Sequence, residues 1–397
     1  MMNWNDLGRQ IDVLIGMVEN SVNQRFQARI NAIISMYDSL VSNYADEDSL
    51  ENLNKYNRLN KAIKQLEKDI TSDYSALYKT IAYAQVMAFI HSTLGSAFLL
   101  SGLTGLAPIL AFPKLIELRK LLSQDTEEYD LLNTLSYHRN DMLRELKGAL
   151  NSSVNDNITP SATKRKLKRI SEKYTSRVQR VSTYEIGRAE SLAEVELGER
   201  YDRAVDELKE RPHKAPKGFK FDDKERGKRF VDEGSRLNRI WVSQRDLRVR
   251  TTHIVLDGQA SDHEGLFYSK ATASYGKGPR LMIGISAMQE NMGCRCSVGY
   301  RVNGIELDQM DDETMSADHR ELYEKTSFDH YQDWLQFHEE DVAPDYYNQL
   351  SKQMMWYKKP SPTTEERTEH NLMTDAKRFR KMVERGFHKK KNGSWGY

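Results

Sequence analysis

The sequence predicts an α+β chain that is mainly helical, and three observations predict it. Apolar residues recur at three- and four-residue steps through most of the first 150 positions, and a long polar helix follows. Two short strand-like runs, Ile240-Trp241-Val242 and Ser297–Val302, flank a Gly-rich stretch. Beyond Val302 the chain turns acidic and then basic, which reads as an extended, helical arm. A stripe of period 3.6 buries one helix face, whereas β-branched and aromatic runs bounded by turn residues fit strands.

Residues 1–150 form the helical region. Ile11, Val13, Leu14, Met17 and Val18, then Phe26, Ile30, Ile33, Ile34, Met36, Tyr37 and Leu40, make one apolar stripe. Asp46-Glu47-Asp48 marks a turn, and a second helix carries Leu53, Leu59, Ile63, Leu66 and Ile70. From Thr80 to Pro113 there is no Lys, Arg, Asp or Glu, a span longer than the roughly 20 apolar residues that cross a bilayer. His91, several Ser and Thr residues and three glycines dilute it, and Pro108 and Pro113 interrupt its end. We read 80–113 as a buried hairpin within a helical bundle, with transient membrane contact as the alternative. Residues 114–150 return to amphipathic helix, and the Asn-, Ser- and Thr-rich stretch 151–164 is the expected linker.

The chain has 397 residues, enough for two or three domains and a sizeable core. Its 59 basic and 58 acidic residues nearly cancel, which argues against a uniformly cationic nucleic-acid protein. Basic runs are local. Lys164, Arg165, Lys166, Lys168 and Arg169 form one, and Lys377, Arg378, Arg380 and Lys381 form another. Both are expected non-specific DNA contacts, against the plainer reading of solvated helix faces. The two cysteines stand one residue apart, so no disulfide framework exists and a reducing compartment is expected. No basic segment leads into an apolar run at the N-terminus, so no secretory signal is read.

The densest chemistry lies between 241 and 302. It holds Trp241, Asp246, Arg248, Arg250 and His253, then Leu256-Asp257-Gly258-Gln259, and finally Cys294-Arg295-Cys296. Asp257-Gly258 supplies a turn. His253, Asp257, His263, Cys294 and Cys296 offer ligands for a metal or a Cys/His pair. An intervening single residue is unusual for zinc, and an extended backbone would hold the two sulfurs roughly 6–7 Å apart unless Arg295 bends it. The expectation is no metal and no cofactor, with His253, Cys294 and Cys296 as the alternative ligand set. The arginines read as structural ion-pair partners, Arg250 with Asp257 or Arg248 with Glu185.

In the order and spacing of these blocks, residues 180–302 resemble the phage Mu F-like minor head protein family. The helix segment Val181–Glu190, with Glu185 and Arg188, resembles the one that opens that domain. One departure is Gly293 where the family carries Asn directly before Cys-Arg-Cys; Asn291 stands two positions earlier. The resemblance implies a domain spanning 165–302, no enzymatic activity and a place in the virion. It implies a minor capsid protein of head morphogenesis, made in the host cytoplasm and docked at the portal or inner shell during procapsid assembly. The implied partners are the portal protein, the major capsid or scaffolding protein, and DNA during packaging or ejection; self-association stays open.

The extension 303–397 lies outside the resemblance. The alternative function is an F-like delivery domain carrying a toxin or enzyme there. His319, His330, His338, His370 and His388 fall in no catalytic motif. His330, Trp334 and His338 share one helical face.

Overall fold

A computed structural model describes residues 4–44, 57–111, 115–124, 131–156, 158–243, 249–302, 328–338 and 341, with short strands at 388–389 and 395–396. Helix dominates among these residues, and the strands form small antiparallel sheets, as the α+β reading expects. The turn at Asp46-Glu47-Asp48 and the basic run at 377–381 lie outside the described residues. The long helices are α1 (Trp4–Tyr44), α2 (Arg58–Thr104), α4 (Leu131–Asn155) and α5 (Pro160–Glu210), with the shorter α3 (Leu115–Gln124) between them. Chain packing divides into two compact units, each discontinuous in sequence.

The first unit comprises Ile15–Ala82 and Thr126–Glu185. It is a helical bundle whose core holds Val18, Phe26, Ile30, Ile33 and Tyr37 of α1 with Ile63, Leu66, Ile70 and Tyr74 of α2. Phe26 and Tyr74 meet edge to face at 5.8 Å. Arg29 bridges Asp69 at 3.0 Å and Asp73 at 2.6 Å along the flank. Tyr174 donates its hydroxyl to Glu145 at 2.8 Å and Asp141 at 3.1 Å, joining α5 to α4. The stretch 151–164 holds the end of α4 and the start of α5. Thr159 Oγ1 caps α5 by accepting from Ala162 N, and Pro160 takes the first helical position, where its missing N–H costs nothing. The first basic run rides on α5. Its Leu167 and Ile170 are buried, Lys164 pairs with Asp38 at 2.9 Å, and Arg165, Lys166 and Arg169 face solvent.

The second unit comprises Met1–Leu14, Tyr83–Asp125 and Ile186–Tyr397. The uncharged segment forms the last turns of α2 and strand β1 (Leu106–Pro108). Gly105, at φ 68°, ends the helix in the left-handed conformation that glycine adopts without a steric cost. α2 is long and apolar enough to cross a membrane, but 94% of that window is buried within the protein. A core position accounts for the composition. His91 is enclosed there, and burial lowers its pKa to about 3, so the ring is neutral.

The stretch 212–235, whose prolines, glycines and charges read from sequence as an exposed loop, carries β2 (Phe219–Phe221) and α6 (Lys224–Asp232). β2 pairs with β1, and Phe230 buries one face of α6. The N-cap is Asp223, whose side chain accepts from Arg226 N. Helix α9 (Phe328–Phe337) belongs to this unit through Trp334, which donates Nε1–H to Ser101 Oγ at 3.2 Å and stacks edgewise on Phe98. His338, just after it, lies 2.8 Å from Asp222.

Strands β3 (Leu237–Val242) and β7 (Ser297–Val302) pair antiparallel, Trp241 opposite Val298, and pack on α5. Tyr300 donates its hydroxyl to Glu194 O at 2.9 Å. A Cβ on Gly198 would stand 1.6 Å from that hydroxyl oxygen. Gly198→Ala is therefore expected to destabilise by about 1–3 kcal/mol through overpacking, although alanine favours helix by about 1 kcal/mol. Chemical denaturation checks it, and an unchanged or raised midpoint contradicts the packing argument.

Candidate functional site

After β3 the chain passes through 244–248, so Asp246 and Arg248 lie outside the described residues. It then forms the short helix α7 (Thr251–Leu256). Its Thr, Ile and Val favour strand by intrinsic preference, but His253 and Leu256 bury one face and Ile254 and Val255 stay exposed. Asp257 and Gly258 turn the chain, Gly258 at φ 73°. Asp257 accepts from Ser243 N at 2.8 Å, closing α7 onto the end of β3.

A three-stranded meander follows, β4 (Phe267–Ser269), β5 (Ser274–Gly276) and β6 (Met282–Ile283), and then helix α8 (Ala287–Asn291). Asn291 grips β6 through both its amide groups, accepting from Met282 N at 3.1 Å and donating to Met282 O at 2.8 Å. Arg250 donates to the carbonyls of Gln289 and Glu290 at the end of α8. It takes those main-chain oxygens in place of the Asp257 carboxylate expected from sequence, because the last carbonyls of a short helix have no partner of their own. Gly293 sits at φ 69°. Asn and Gly are the two residues that commonly adopt that conformation, so the departure from the Mu F-like pattern leaves the backbone intact.

Glu290 is the hub of the site. Its carboxylate receives Ser269 Oγ at 2.6 Å, Thr272 Oγ1 at 2.9 Å, Thr252 Oγ1 at 3.2 Å and His253 Nε2 at 2.7 Å. Burial alone would raise its pKa, but these donors outweigh burial and keep it ionised. The same contact turns His253 Nδ1 toward the cysteines, 3.4 Å from Cys296 Sγ. Residues 294–296 lie before β7 begins, and their sulfurs are closer than an extended strand would hold them. The ligand atoms of His253, Cys294 and Cys296 all lie within 4.8 Å of one another, and all three side chains are buried. Burial pushes the Cys294 thiol up, but Cys296, His253 and Arg280 together hold it well below the ordinary value. Cys296 is held above it by its neighbour thiolate and by burial. Trp241, Leu256, Phe267, Met282 and Ala287 wall the group in.

A second buried cluster adjoins it. Arg280, at φ 62°, pairs with Glu190 at 2.9 Å and donates to Cys296 O. Its guanidinium lies where a Cβ on Gly187 would stand, so glycine there lets the arginine cross α5. Glu194, one turn along α5, accepts from Val298 N at 2.8 Å. Burial raises Glu190 to about 8 against the pull of Arg280, and burial with the Glu190 charge holds Glu194 well above the ordinary carboxyl range.

Of the residues named from sequence, Trp241, His253, Cys294 and Cys296 meet in one buried group, with Arg250, Asp257 and Gly258 shaping its frame. Glu185 and Arg188 are buried on α5, and Arg295 reaches Asp12 at 3.4 Å. His263 is exposed and stands apart. Sequence reasoning missed Glu190, Glu194, Arg280 and Glu290. It also missed an exposed apolar face on the meander, where Tyr268 (51% exposed), Tyr275 (45%) and Ile283 (40%) are cross-strand neighbours and Ile285 is fully exposed.

A helical chain whose signature residues build a buried frame beneath an exposed apolar sheet is similar, over 304 residues, to a minor component of the phage head. That relative is the minor head protein GP7 of Bacillus phage SPP1, 21% identical, with the match covering 76% of this chain and 88% of the relative. The distant likeness supports a role in head morphogenesis as a structural virion component. No family model matches the chain, and no solved structure matches it.

Proposed function

We propose that this chain is a non-enzymatic minor head protein that docks at the portal or the inner face of the shell during procapsid assembly. The observation that carries this reading is the extent of the likeness to GP7, which spans 76% of this chain and 88% of the relative. The face formed by Tyr268, Tyr275, Ile283 and Ile285 is the docking surface in this reading. Contiguous exposed apolar groups on a soluble domain mark an interaction site more often than chance. The opposite side of the meander, Phe267, Ser269 and Met282, is buried, so the outward side chains are not needed for the core.

DNA contact is the second part of the proposal. Arg165, Lys166 and Arg169 face solvent on α5 and would bind phosphate without sequence preference, as would the run at 377–381. Mass spectrometry of purified procapsids and mature particles tests the assignment, with the protein expected in both; its absence from both overturns it. The double variant Tyr268→Ser with Ile283→Ser is expected to keep its unfolding midpoint and lose at least about tenfold in incorporation, the effect of about 1.4 kcal/mol of binding energy. DNA retention at low salt that fails at high salt is expected of the full chain, and no retention at low salt removes the DNA part.

A further inference from the structure

We propose that His253 Nδ1, Cys294 Sγ and Cys296 Sγ hold a zinc ion, with a non-protein ligand such as water completing the tetrahedron. The first support is geometric. Zinc bonds of roughly 2.0–2.1 Å to nitrogen and 2.3 Å to sulfur place tetrahedral S···N pairs about 3.6 Å apart and S···S pairs about 3.8 Å apart. The Cys296 Sγ to His253 Nδ1 distance is 3.4 Å, and all three donor atoms fall within 4.8 Å. The site therefore needs shifts of tenths of an ångström, not a rearrangement.

The second support is independent of the ligands. A histidine that binds metal through one nitrogen commonly gives its other N–H to a carboxylate, which fixes the ring and raises its basicity. Glu290 does this from a buried position, at 2.7 Å, and three hydroxyls orient it in turn. Four protein groups are thus spent on the orientation of one imidazole. A pair of inert buried thiols would need none of them. Glu290 is a positioning residue in this scheme, since it touches His253 and not the ion.

The charges also close. Two thiolates neutralise Zn²⁺, Arg280 keeps Glu190 as its own partner, and Glu290 keeps its four donors. Thiols must lose their protons to solvent as the ion enters, which makes loading pH-dependent. The ion would tie α7 to the segment leading into β7, residues 43 apart in sequence. Its part is to cross-link a loop-rich frame.

The test uses the full chain, produced in zinc-supplemented medium and purified with reductant and without chelator. Elemental analysis is expected to find about one zinc per chain, and replacement by Co²⁺ to give thiolate-to-cobalt charge-transfer absorption. Cys294→Ser and Cys296→Ser are expected to abolish that absorption. Glu290→Gln is expected to weaken metal affinity by about 10–100-fold, a loss a merely structural carboxylate would not cause. If the variants fail to fold, the Co²⁺ titration of the unaltered chain decides alone. A folded chain that retains no zinc and gives no cobalt–thiolate band overturns the proposal, as does a Cys294–Cys296 disulfide that persists under reductant. Equal alkylation of both thiols with and without added zinc also overturns it.

Discussion

Replacing Arg280 with Met is expected to lower the unfolding midpoint of its unit by roughly 6–20 °C, from a loss of about 3–5 kcal/mol. Arg280 is enclosed between Glu190 and the carbonyl of Cys296, and Glu194 lies one helical turn from Glu190. Methionine fills the space and removes the countercharge, leaving two buried carboxylates with a shared burden of desolvation. The loss is expected to depend on pH. The carboxyl of Glu190 has its pKa raised from 4.5 to about 8 by burial, so the folded chain holds a proton that the unfolded chain releases. With more protons bound when folded, stability falls as pH rises. Its contribution is complete below about 4.5 and is lost progressively toward about 8, by at most about 1.4 kcal/mol per pH unit. Glu190→Gln is expected to flatten this slope. The Arg280→Met penalty should be smaller near about pH 6, where Glu190 holds its proton with or without Arg280, and larger near about pH 10, where only Arg280 offsets its charge. Melting curves at the two pH values decide the matter. An equal penalty at both means that Arg280 acts by packing alone.

The helical frame was legible because its signal is periodic and long: the stripes on α1 and α2 repeat over many turns. β3 and β7 were legible for a related reason, since short aromatic and β-branched runs bounded by turns have few alternatives. What escaped was local chemistry inside polar stretches. Thr159-Pro160 is an N-cap followed by a first-turn proline, yet it sits in an Asn- and Ser-rich segment that reads as linker. Phe219 and Phe230 are buried anchors among charges and glycines, so β2 and α6 looked like loop. In the site, His253 and the cysteines stood out by residue type, but their partners did not. Glu190 and Glu194 have the spacing of a solvated helix face, and Glu290 sits on a five-residue helix that carries no periodic signal. Whether a carboxylate faces water or an imidazole depends on tertiary packing, which composition does not encode. The same limit hid the meander: Tyr268, Tyr275 and Ile283 stand in a stretch that reads only as Gly-rich, and the pairing register is what brings them side by side.

The frame and the docking face make opposite predictions, and Trp241 is where they separate. Trp241→Ala is expected to cost about 3–5 kcal/mol, the range for deleting a buried aromatic side chain. The indole is fully enclosed, meeting His253 and Phe267 edge to face at 5.4 and 5.5 Å, with Leu256 and Met282 closing the wall. Small movements of α7 and the meander cannot refill that volume, because α7 is tied to Ser243 through Asp257 and to Glu290 through His253, and the meander to Glu290 through Ser269 and to Asn291 through Met282. Trp241→Phe keeps most of the packing and is expected to lose less than half as much. If the residues of the Mu F-like pattern are a frame, particle incorporation by these variants should follow the folded fraction and recover at a temperature where the chain is folded. Tyr268→Ser with Ile283→Ser should do the reverse, losing incorporation at an unchanged melting point. A Trp241→Ala chain that melts normally yet fails to enter particles would move the binding role from the exposed sheet into the buried group itself.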